Sequence, residues 1–318
     1  MISFDTCIQS PCKGCSAPCC TFLPLHDFTI QNYRDVDYAR YLLNFVNIEL
    51  ALVQGTTWRV HWKAECTRLL PDGGCKLHDT PEKPQVCLNY DAYSCFYKPM
   101  FLEAETPSFL RFDAVRFEAL IAMMTFDDAG SLTHFPTAEV MCARLPAFVD
   151  HPYEAISAPK SVIPSDKTGG LSSFQRQCEG CSAWCCQTIS FPFGGIHSVS
   201  NLDYIWFCLG YPGVELAMTS EGMSVFVHSR CRNLASPNSG GCNVFGTSKR
   251  PMVCEQYDGM NCAYKVQVGT VNPSMSLRIG LRDFETFQQH FQFDVAGQCI
   301  QRSSFDVIRD DIRQNRVP

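Results

Sequence analysis

Two short segments of the sequence are nearly identical, and both are rich in cysteine. Residues 12–20 read CKGCSAPCC and residues 178–186 read CEGCSAWCC, so both follow the pattern C-x2-C-x3-C-C. Thiols at this spacing converge on a small volume, which suits a soft metal ion or an iron–sulfur cluster. The motif therefore predicts metal binding, without saying what the metal is used for.

More cysteines follow each motif in the same order. Cys66, Cys75, Cys87 and Cys95 are echoed downstream, the last three at a constant offset of 167 residues. Eight cysteines thus recur in each half of the chain, and we predict all of them as metal ligands. They are Cys12, Cys15, Cys19, Cys20, Cys66, Cys75, Cys87 and Cys95, and Cys178, Cys181, Cys185, Cys186, Cys231, Cys242, Cys254 and Cys262.

The number of repeated thiols bears on the kind of centre. Eight per half exceed the four that one zinc ion or one cubane cluster takes, so each half holds two ions, a polynuclear centre, or one centre with reserve thiols. The adjacent pairs Cys19-Cys20 and Cys185-Cys186 support the same conclusion. Neighbouring side chains usually diverge, so the two thiols of a pair should not bind one tetrahedral ion without strain. An all-cysteine set of this size favours an iron–sulfur centre, with zinc as the alternative.

The remaining candidates have simpler interpretations. Four cysteines have no counterpart and are expected to pack as small apolar residues, with Cys7 a possible extra ligand because it lies close to the first motif. Three histidines follow cysteines closely and are interpreted as solvated side chains. These residues are Cys7, Cys142, Cys208 and Cys299, and His26, His78 and His197.

The duplication extends well beyond the cysteines. Asp37-Tyr38 matches Asp203-Tyr204, and Lys83-Pro84 matches Arg250-Pro251. A period of this size is that of a domain rather than a solenoid unit. We predict two homologous domains at 1–150 and 174–318, the first and second halves, joined by a linker at 151–173 that is rich in Ser, Pro and Gly from residue 156 onwards.

Hydrophobic patterning places short elements around the cysteine loops. Each predicted element has a counterpart in the other half, except that Gly210 and Pro212 should shorten the second copy of the first helix. The predicted helices are 36–50, 114–124 and 283–293, and the predicted strands are 58–62, 108–112, 224–228 and 275–279. The fold class is α+β, with two small domains whose irregular loops carry the metal.

Composition narrows the partners and the compartment. The net charge of −6 argues against a nucleic-acid partner, and no apolar run reaches the length of a membrane span. The first residues lack the pattern of a secretory signal, which predicts a cytoplasmic protein. Twenty cysteines in a reducing compartment indicate metal rather than disulfides. A protein partner or a small-molecule substrate is expected, with its identity open.

The order of these motifs resembles a known family. C-x2-C-x3-C-C, then Gly-Gly-Cys at Gly74-Cys75 and Gly241-Cys242, then Lys/Arg-Pro-x2-Cys at Cys87 and Cys254, is similar to the CxxCxxCC family of zinc- or iron-chelating domains, the YkgJ-like cysteine-cluster proteins. The resemblance covers most of each half and implies a tandem member. One similar group, the flagellin lysine N-methylases, combines such cysteines with a methyl-transfer activity.

Three functions remain open at this point. The first is a metal or cluster protein that transfers electrons, senses redox state or supports a partner enzyme. The second is a metal-dependent modifying enzyme like the methylases, an analogy that names no catalytic residue here. The third is a zinc-stapled interaction protein without chemistry of its own.

Overall fold

The computed structural model describes most of the chain outside the N-terminus and the predicted linker. It covers residues 17–91, 95, 97, 110–156, 183–236, 240–257, 264 and 276–316. Six cysteines lie outside the described residues, and five of them are predicted ligands. These cysteines are Cys7, Cys12, Cys15, Cys178, Cys181 and Cys262.

The first half alternates short helices with antiparallel strands. Its elements run in the order α1 (Pro18–Thr21), β1 (Phe22–Thr29), α2 (Tyr33–Leu43), β2 (Ile48–Gln54), β3 (Thr57–Lys63), α3 (Gln85–Leu88), β4 (Leu110–Phe112), α4 (Ala114–Ile121), β5 (Thr125–Phe126), β6 (Leu132–His134) and α5 (Ala138–Arg144).

The second half repeats this order with three differences: a 3-10 turn at Trp184–Cys186 in place of α1, an added pair of short strands before the cysteine helix, and a second 3-10 turn at Leu281–Asp283. Its further elements are β7 (Thr188–Phe193), α6 (Val199–Leu209), β8 (Val214–Thr219), β9 (Met223–His228), β10 (Leu234–Ser236), β11 (Gly240–Cys242), α7 (Met252–Glu255), β12 (Ser276–Ile279), α8 (Phe284–Gln288), β13 (Phe291–Phe293), β14 (Cys299–Arg302) and α9 (Phe305–Asn315).

Each half is built on a four-stranded antiparallel sheet, and the two sheets have the same topology. The strand order is β1-β3-β2-β4 in the first half and β7-β9-β8-β12 in the second. The strand that ends just before a cysteine loop, β3 or β9, lies inside its sheet in both cases. The sheet therefore fixes the point from which each cysteine loop departs.

The strands and helices follow from local sequence. Strand β3 buries Trp58, Val60 and Trp62 on one face, as period-two alternation requires. Helix α2 begins with a capping box in which Asn32 and Asp35 accept backbone N–H groups. Helix α6 begins with the equivalent box, formed by Ser198 and Asn201.

The largest core cluster draws side chains from both halves. Trp62 and Phe45 of the first half share it with Phe207, Tyr211 and Val227 of the second. Direct contacts join the halves within it, since the Trp62 Nε1 donates to the Pro212 carbonyl at 3.1 Å. The two sheets are consequently packed against each other rather than separated by solvent.

Several sequence predictions are confirmed and others are wrong. The strands predicted at 58–62 and 224–228 lie within β3 and β9. The helix predicted over 36–50 ends at Leu43 with Asn44 as its C-cap, and the chain then passes through Asn47 at φ 59° into β2. Asparagine tolerates this left-handed conformation, which re-aims the chain into the strand.

The second copy of this helix is not shortened. Helices α2 and α6 have 11 residues each. Gly210 follows Leu209 as the C-cap of α6 and Pro212 lies beyond it, so neither residue interrupts the helix.

The helices predicted further along each half are too long. The one predicted over 114–124 ends at Ile121, and the one over 283–293 ends at Gln288 and gives way to β13. Hairpin pairing of β13 with β14 explains the second difference, because it takes Phe291–Phe293 out of the helix. The mixed helix and sheet content confirms the α+β class.

Candidate metal centre

Both adjacent cysteine pairs follow an alanine in a left-handed conformation. Ala17 has φ 52° and Ala183 has φ 55°, and each immediately precedes the turn that carries Cys19-Cys20 or Cys185-Cys186. A residue with a β-carbon disfavours this region by about 1–2 kcal/mol. The same strained residue at the same place in both halves indicates that the turn is held for a purpose.

The second cysteine of each pair meets the first downstream cysteine through the backbone. The Cys66 N–H donates to the Cys20 carbonyl at 2.8 Å, and the Cys231 N–H donates to the Cys186 carbonyl at 2.7 Å. Residues far apart in sequence are thereby joined in the same way in both halves.

The next cysteine returns to this place through a tight hairpin. Leu69 pairs with Cys75, and Leu234 pairs with Cys242. Gly241 has φ 93°, a conformation that suits glycine, directly before Cys242. The hairpin thus brings Cys75 back towards Cys66 in the first half, and Cys242 back towards Cys231 in the second.

The last member of the group lies on a four-residue helix that begins after a proline. Cys87 is on α3 and its N–H donates to the Pro84 carbonyl, while Cys254 is on α7 and donates to the Pro251 carbonyl, both at 2.9 Å. Proline sets the entry of the chain into each short helix. The Lys/Arg-Pro-x2-Cys motif therefore forms a short helix that carries one cysteine as its third residue.

The electrostatic environment joins the second-half thiols into one group. Burial raises the pKa of Cys231 to about 11, and the charges of Cys186 and Cys242 add to the shift. Burial likewise raises the pKa of Cys254 to about 12, with the charges of Cys186, Cys231 and Cys242 adding to it. Four partly buried thiols therefore interact with one another as neighbours.

The first-half thiols show a similar pattern, except that the member of the adjacent pair that acts on Cys87 is Cys19 rather than Cys20. Burial raises the pKa of Cys87 to about 12, and the charges of Cys66, Cys19 and Cys75 raise it further. Burial also raises the pKa of Cys66. Tyr211 reaches this group from the second half, because its hydroxyl donates to the Cys19 carbonyl at 3.0 Å.

The first cysteine of each pair faces a different, aromatic environment. Cys19 and Cys95 pack beside Phe22 and Tyr97, and the Tyr90 hydroxyl donates to the Cys95 Sγ at 3.0 Å.

In the second half, Cys185 packs with Trp184 and Tyr257, and its Sγ lies 4.0 Å from the Cys186 Sγ. The two thiols of each pair nevertheless stay in contact, since a hydrogen bond with Cys20 is the largest cause raising the pKa of Cys19 and one with Cys185 lowers the pKa of Cys186.

A cation accompanies the thiols in each half. Burial raises the pKa values of Cys87 and Cys254, and the charge of Lys83 or Arg250 offsets part of that shift. The hydrogen bond with Cys20, together with burial, raises the pKa of Cys19, and the charge of Lys83 offsets part of that shift as well. The pKa of Cys186 is lowered by its hydrogen bond with Cys185, and the charge of Arg250 makes a smaller contribution in the same direction. The guanidinium of Arg250 also donates to the Cys254 carbonyl at 2.6 Å. Lys83 and Arg250 are the first residues of the repeated Lys/Arg-Pro motif, so they stabilise negative charge on the thiols of their own half.

Eleven of the sixteen predicted ligands can thus be placed. Cys12, Cys15, Cys178, Cys181 and Cys262 lie outside the described residues. Among the residues that the structure does describe, no three His, Cys, Asp or Glu side chains are close enough together to hold a metal ion as they stand. The cysteines are gathered by the fold, but their thiols are not arranged in a coordination geometry.

The other sequence candidates behave mostly as expected. His26 and His197 are exposed, and His78 is 66% exposed beside Asp79. Cys208 is buried in the core, and Cys142 and Cys299 are half-buried against apolar residues. Cys7 lies outside the described residues.

Tyrosines and cations at these sites were not predicted from the sequence. The side chain of Tyr90 is partly exposed, and its hydroxyl donates to the Cys95 Sγ. The repetition of Tyr90-Asp91 and of Lys83-Pro84 in the second half was the available signal. Tyr211 had no such signal, because its place beside Cys19 depends on contact between the halves.

Comparison with known proteins gives no match. No family model, no curated protein and no solved structure is similar to this chain. Across the part of the chain that is described, no helix combines the length and the apolar character needed to cross a bilayer.

Proposed function

We propose that the protein is a metal-binding protein with one four-cysteine centre in each half. The ligands are Cys20, Cys66, Cys75 and Cys87 in the first half and Cys186, Cys231, Cys242 and Cys254 in the second. One observation carries the proposal. Both halves join the cysteine pair to the hairpin through the same backbone contacts, and in both halves the thiol on the proline-initiated helix lies within electrostatic range of the other thiols.

The thiol chemistry suits a metal. Burial raises the pKa values of Cys66, Cys87, Cys231 and Cys254, so these thiols stay protonated in metal-free protein at neutral pH. A bound metal takes thiolates and releases those protons, which makes binding favour higher pH. The nearby charge of Lys83 or Arg250 offsets part of the negative charge that four thiolates bring.

An iron–sulfur cluster is our first candidate for the metal, and zinc is the second. The ligand set is all cysteine, and eight repeated thiols per half leave four more for a further centre or for exchange. We therefore propose a role in electron transfer, redox sensing or support of a partner enzyme. The likeness to YkgJ-like cysteine-cluster proteins and the division into two homologous domains belong to this same proposal.

Metal analysis of anaerobically purified protein tests the proposal. We expect bound iron with sulfide and a broad visible absorption, or bound zinc without colour. Replacing Cys66 and Cys75 by Ser should remove the first-half metal, and replacing Cys231 and Cys242 should remove the second-half metal. Cys142→Ser and Cys299→Ser serve as matched controls and should change nothing. Metal-free protein, or a metal content that survives all four ligand replacements, would refute the proposal.

A further inference from the structure

Two aspartates at corresponding positions make hydrogen bonds that cross between the halves. The Asp203 carboxylate on α6 accepts the Gln85 N–H at 2.8 Å and the Val86 N–H at 3.3 Å. The Asp37 carboxylate on α2 accepts the Met252 N–H at 2.7 Å. The Val253 N–H also donates to Asp37. Each aspartate thus holds the first turn of a short helix in the opposite half.

These two short helices are the ones that present cysteines. Helices α3 and α7 have four residues each, too few to be stable without outside support. Their first N–H groups have no partner within the helix, and the carboxylate of the opposite half supplies one. Cys87 and Cys254 are each the third residue of the helix, so their thiols move if the first turn is lost.

Other hydrogen bonds cross at the neighbouring cysteines. The Thr67 N–H, directly after Cys66, donates to the Gly210 carbonyl at 2.8 Å, and the Arg232 N–H, directly after Cys231, donates to the Asn44 carbonyl at 2.7 Å. Gly210 and Asn44 are the C-cap residues of α6 and α2. Each of these helices therefore supports a cysteine helix from its middle and a cysteine loop from its C-terminal end, both in the other half.

We propose that Asp37 and Asp203 are positioning residues for the metal centres of the opposite halves. Asp203 positions Cys87 for the first-half centre, and Asp37 positions Cys254 for the second-half centre. This assignment rests on the proposed metal-binding function. It makes the two centres mutually dependent, because neither half can preorganise its own four cysteines without the helix of the other.

Burial of one of the aspartates supports a specific role. Asp37 is 8% exposed, and a buried carboxylate is costly unless it is hydrogen-bonded. Asp35, two residues before Asp37, caps its own helix instead. It is therefore a matched carboxylate whose hydrogen bonds stay within its own half.

The test uses proteins that retain a single centre and cobalt(II) as the probe, since its thiolate complexes absorb visibly. Cys231→Ser with Cys242→Ser leaves the first-half centre, and Cys66→Ser with Cys75→Ser leaves the second. Asp37→Ala, Asp203→Ala and Asp35→Ala are then introduced into each parent, and cobalt affinity is titrated under anaerobic, reducing conditions.

We expect a crossed result. Asp203→Ala should weaken cobalt binding at the first-half centre about fivefold, which corresponds to the loss of a cap worth about 1 kcal/mol. Asp37→Ala should do the same at the second-half centre. Asp203→Ala should leave the second-half centre nearly unchanged, and Asp37→Ala should leave the first-half centre nearly unchanged. Asp35→Ala weakens only the cap of α2, so it should weaken the second-half centre less than Asp37→Ala does and should leave the first-half centre unchanged. The Asn variants at Asp37 and Asp203 should restore part of the loss because they keep an oxygen acceptor.

Equal weakening of both centres by either variant, or no weakening, would overturn the crossed assignment while leaving the metal-binding proposal intact. Absence of cobalt binding in both parents would instead overturn the metal-binding proposal. Hydrogen exchange gives a readout that needs no metal. Asp203→Ala should accelerate exchange at Val86–Leu88, and Asp37→Ala should accelerate it at Val253–Glu255, whereas unchanged exchange at both would refute the positioning role.

Discussion

At the scale of single residues, the cysteine sites depend on neighbours that carry no thiol. Ala17 and Ala183 turn the chain before each cysteine pair, and Lys83 and Arg250 place positive charge beside the thiols. Buried His61 packs against Phe22, which lies beside Cys19, and the centroids of the His61 and Phe22 rings are 6.0 Å apart. Two of these features give direct predictions.

The first prediction concerns His61 and acid stability. Burial, with the charges of Arg59 and Arg111, lowers the pKa of His61 to about 3. An unfolded chain protonates histidine at a pKa of about 6.5. The unfolded state therefore binds the proton first as the pH falls. The stabilisation that neutral His61 contributes is complete above about pH 6.5 and is lost progressively as the pH falls towards 3.

His61→Phe keeps a ring in this position and removes the titration. It should flatten the decline of the free energy of unfolding by about 1.4 kcal/mol per pH unit between the two pKa values. Urea unfolding at several pH values, with chelator present throughout, measures the slope. Exposed His134→Gln is the control and should leave it unchanged, and a slope that His61→Phe does not alter would contradict the pKa assigned to His61.

The second prediction concerns the left-handed alanine. Ala183→Gly removes the β-carbon that disfavours φ 55°. The free energy of unfolding, measured by thermal denaturation, should therefore stay the same or rise by up to about 1 kcal/mol. Ala143→Gly, in the exposed part of helix α5, should instead cost up to about 1 kcal/mol. Similar losses at both positions would show that the turn at Ala183 is not strained.

At the scale of elements, short pieces of structure are stabilised by caps and by the opposite half. Helices α2 and α6 have complete capping boxes and carry the aspartates that support α7 and α3. The cysteine helices have no side-chain cap of their own. Cap strength in one half should therefore be felt at the cysteines of the other.

The third prediction tests this dependence at Ser198. Ser198→Ala removes the side-chain acceptor of the Asn201 N–H and should cost about 1 kcal/mol in the free energy of unfolding. It should also speed alkylation of Cys87 relative to Cys254, because α6 supports α3. Ser200→Ala, on the exposed side of the same helix, is the matched control. If Ser198→Ala leaves the ratio of the Cys87 and Cys254 alkylation rates unchanged, the inference that α6 supports α3 is wrong.

At the scale of the whole molecule, the two halves share a core and cross-brace their cysteine loops. Phe45 of the first half is 1% exposed and forms an isolated bridge with Cys231 of the second. Tyr211 of the second half reaches the Cys19 carbonyl of the first. Neither half is a closed unit, although both have the same sheet topology.

The fourth prediction is that the halves unfold together. Phe45→Ala should destabilise the protein by about 3–5 kcal/mol, as large truncations in cores do, and should lower a single shared transition. Hydrogen exchange of β3 and β9 would report on the two halves separately and should change by the same free energy. Val295→Ala, at a fully exposed position, is the control. Two separate transitions, or exchange that changes only in β3, would mean that the halves fold independently.

Much of this arrangement could be predicted from the sequence, because it is local. Cysteine spacing, the repeated Lys/Arg-Pro motif and the alternation of Trp58, Val60 and Trp62 identify the candidate ligands and a buried strand, whereas the four-residue cysteine helices were not predicted. These signals depend on neighbouring residues and on periodicity. Element ends such as Leu43 and Gln288 were missed because turn and hairpin formation, not helix propensity, decides them.

By itself, the sequence determined the cysteine inventory, its duplication and the α+β class. Only the tertiary structure decided that Cys20 and Cys186 lie beside the downstream cysteines, and that Asp37 and Asp203 each support the other half. Side chains separated by more than a hundred residues meet only when two sheets bury a common core. The sequence repeat identifies Asp37 and Asp203 as equivalent residues. Their hydrogen bonds reach the opposite half because the packing of the two halves, rather than sequence order, decides which helices lie next to each other.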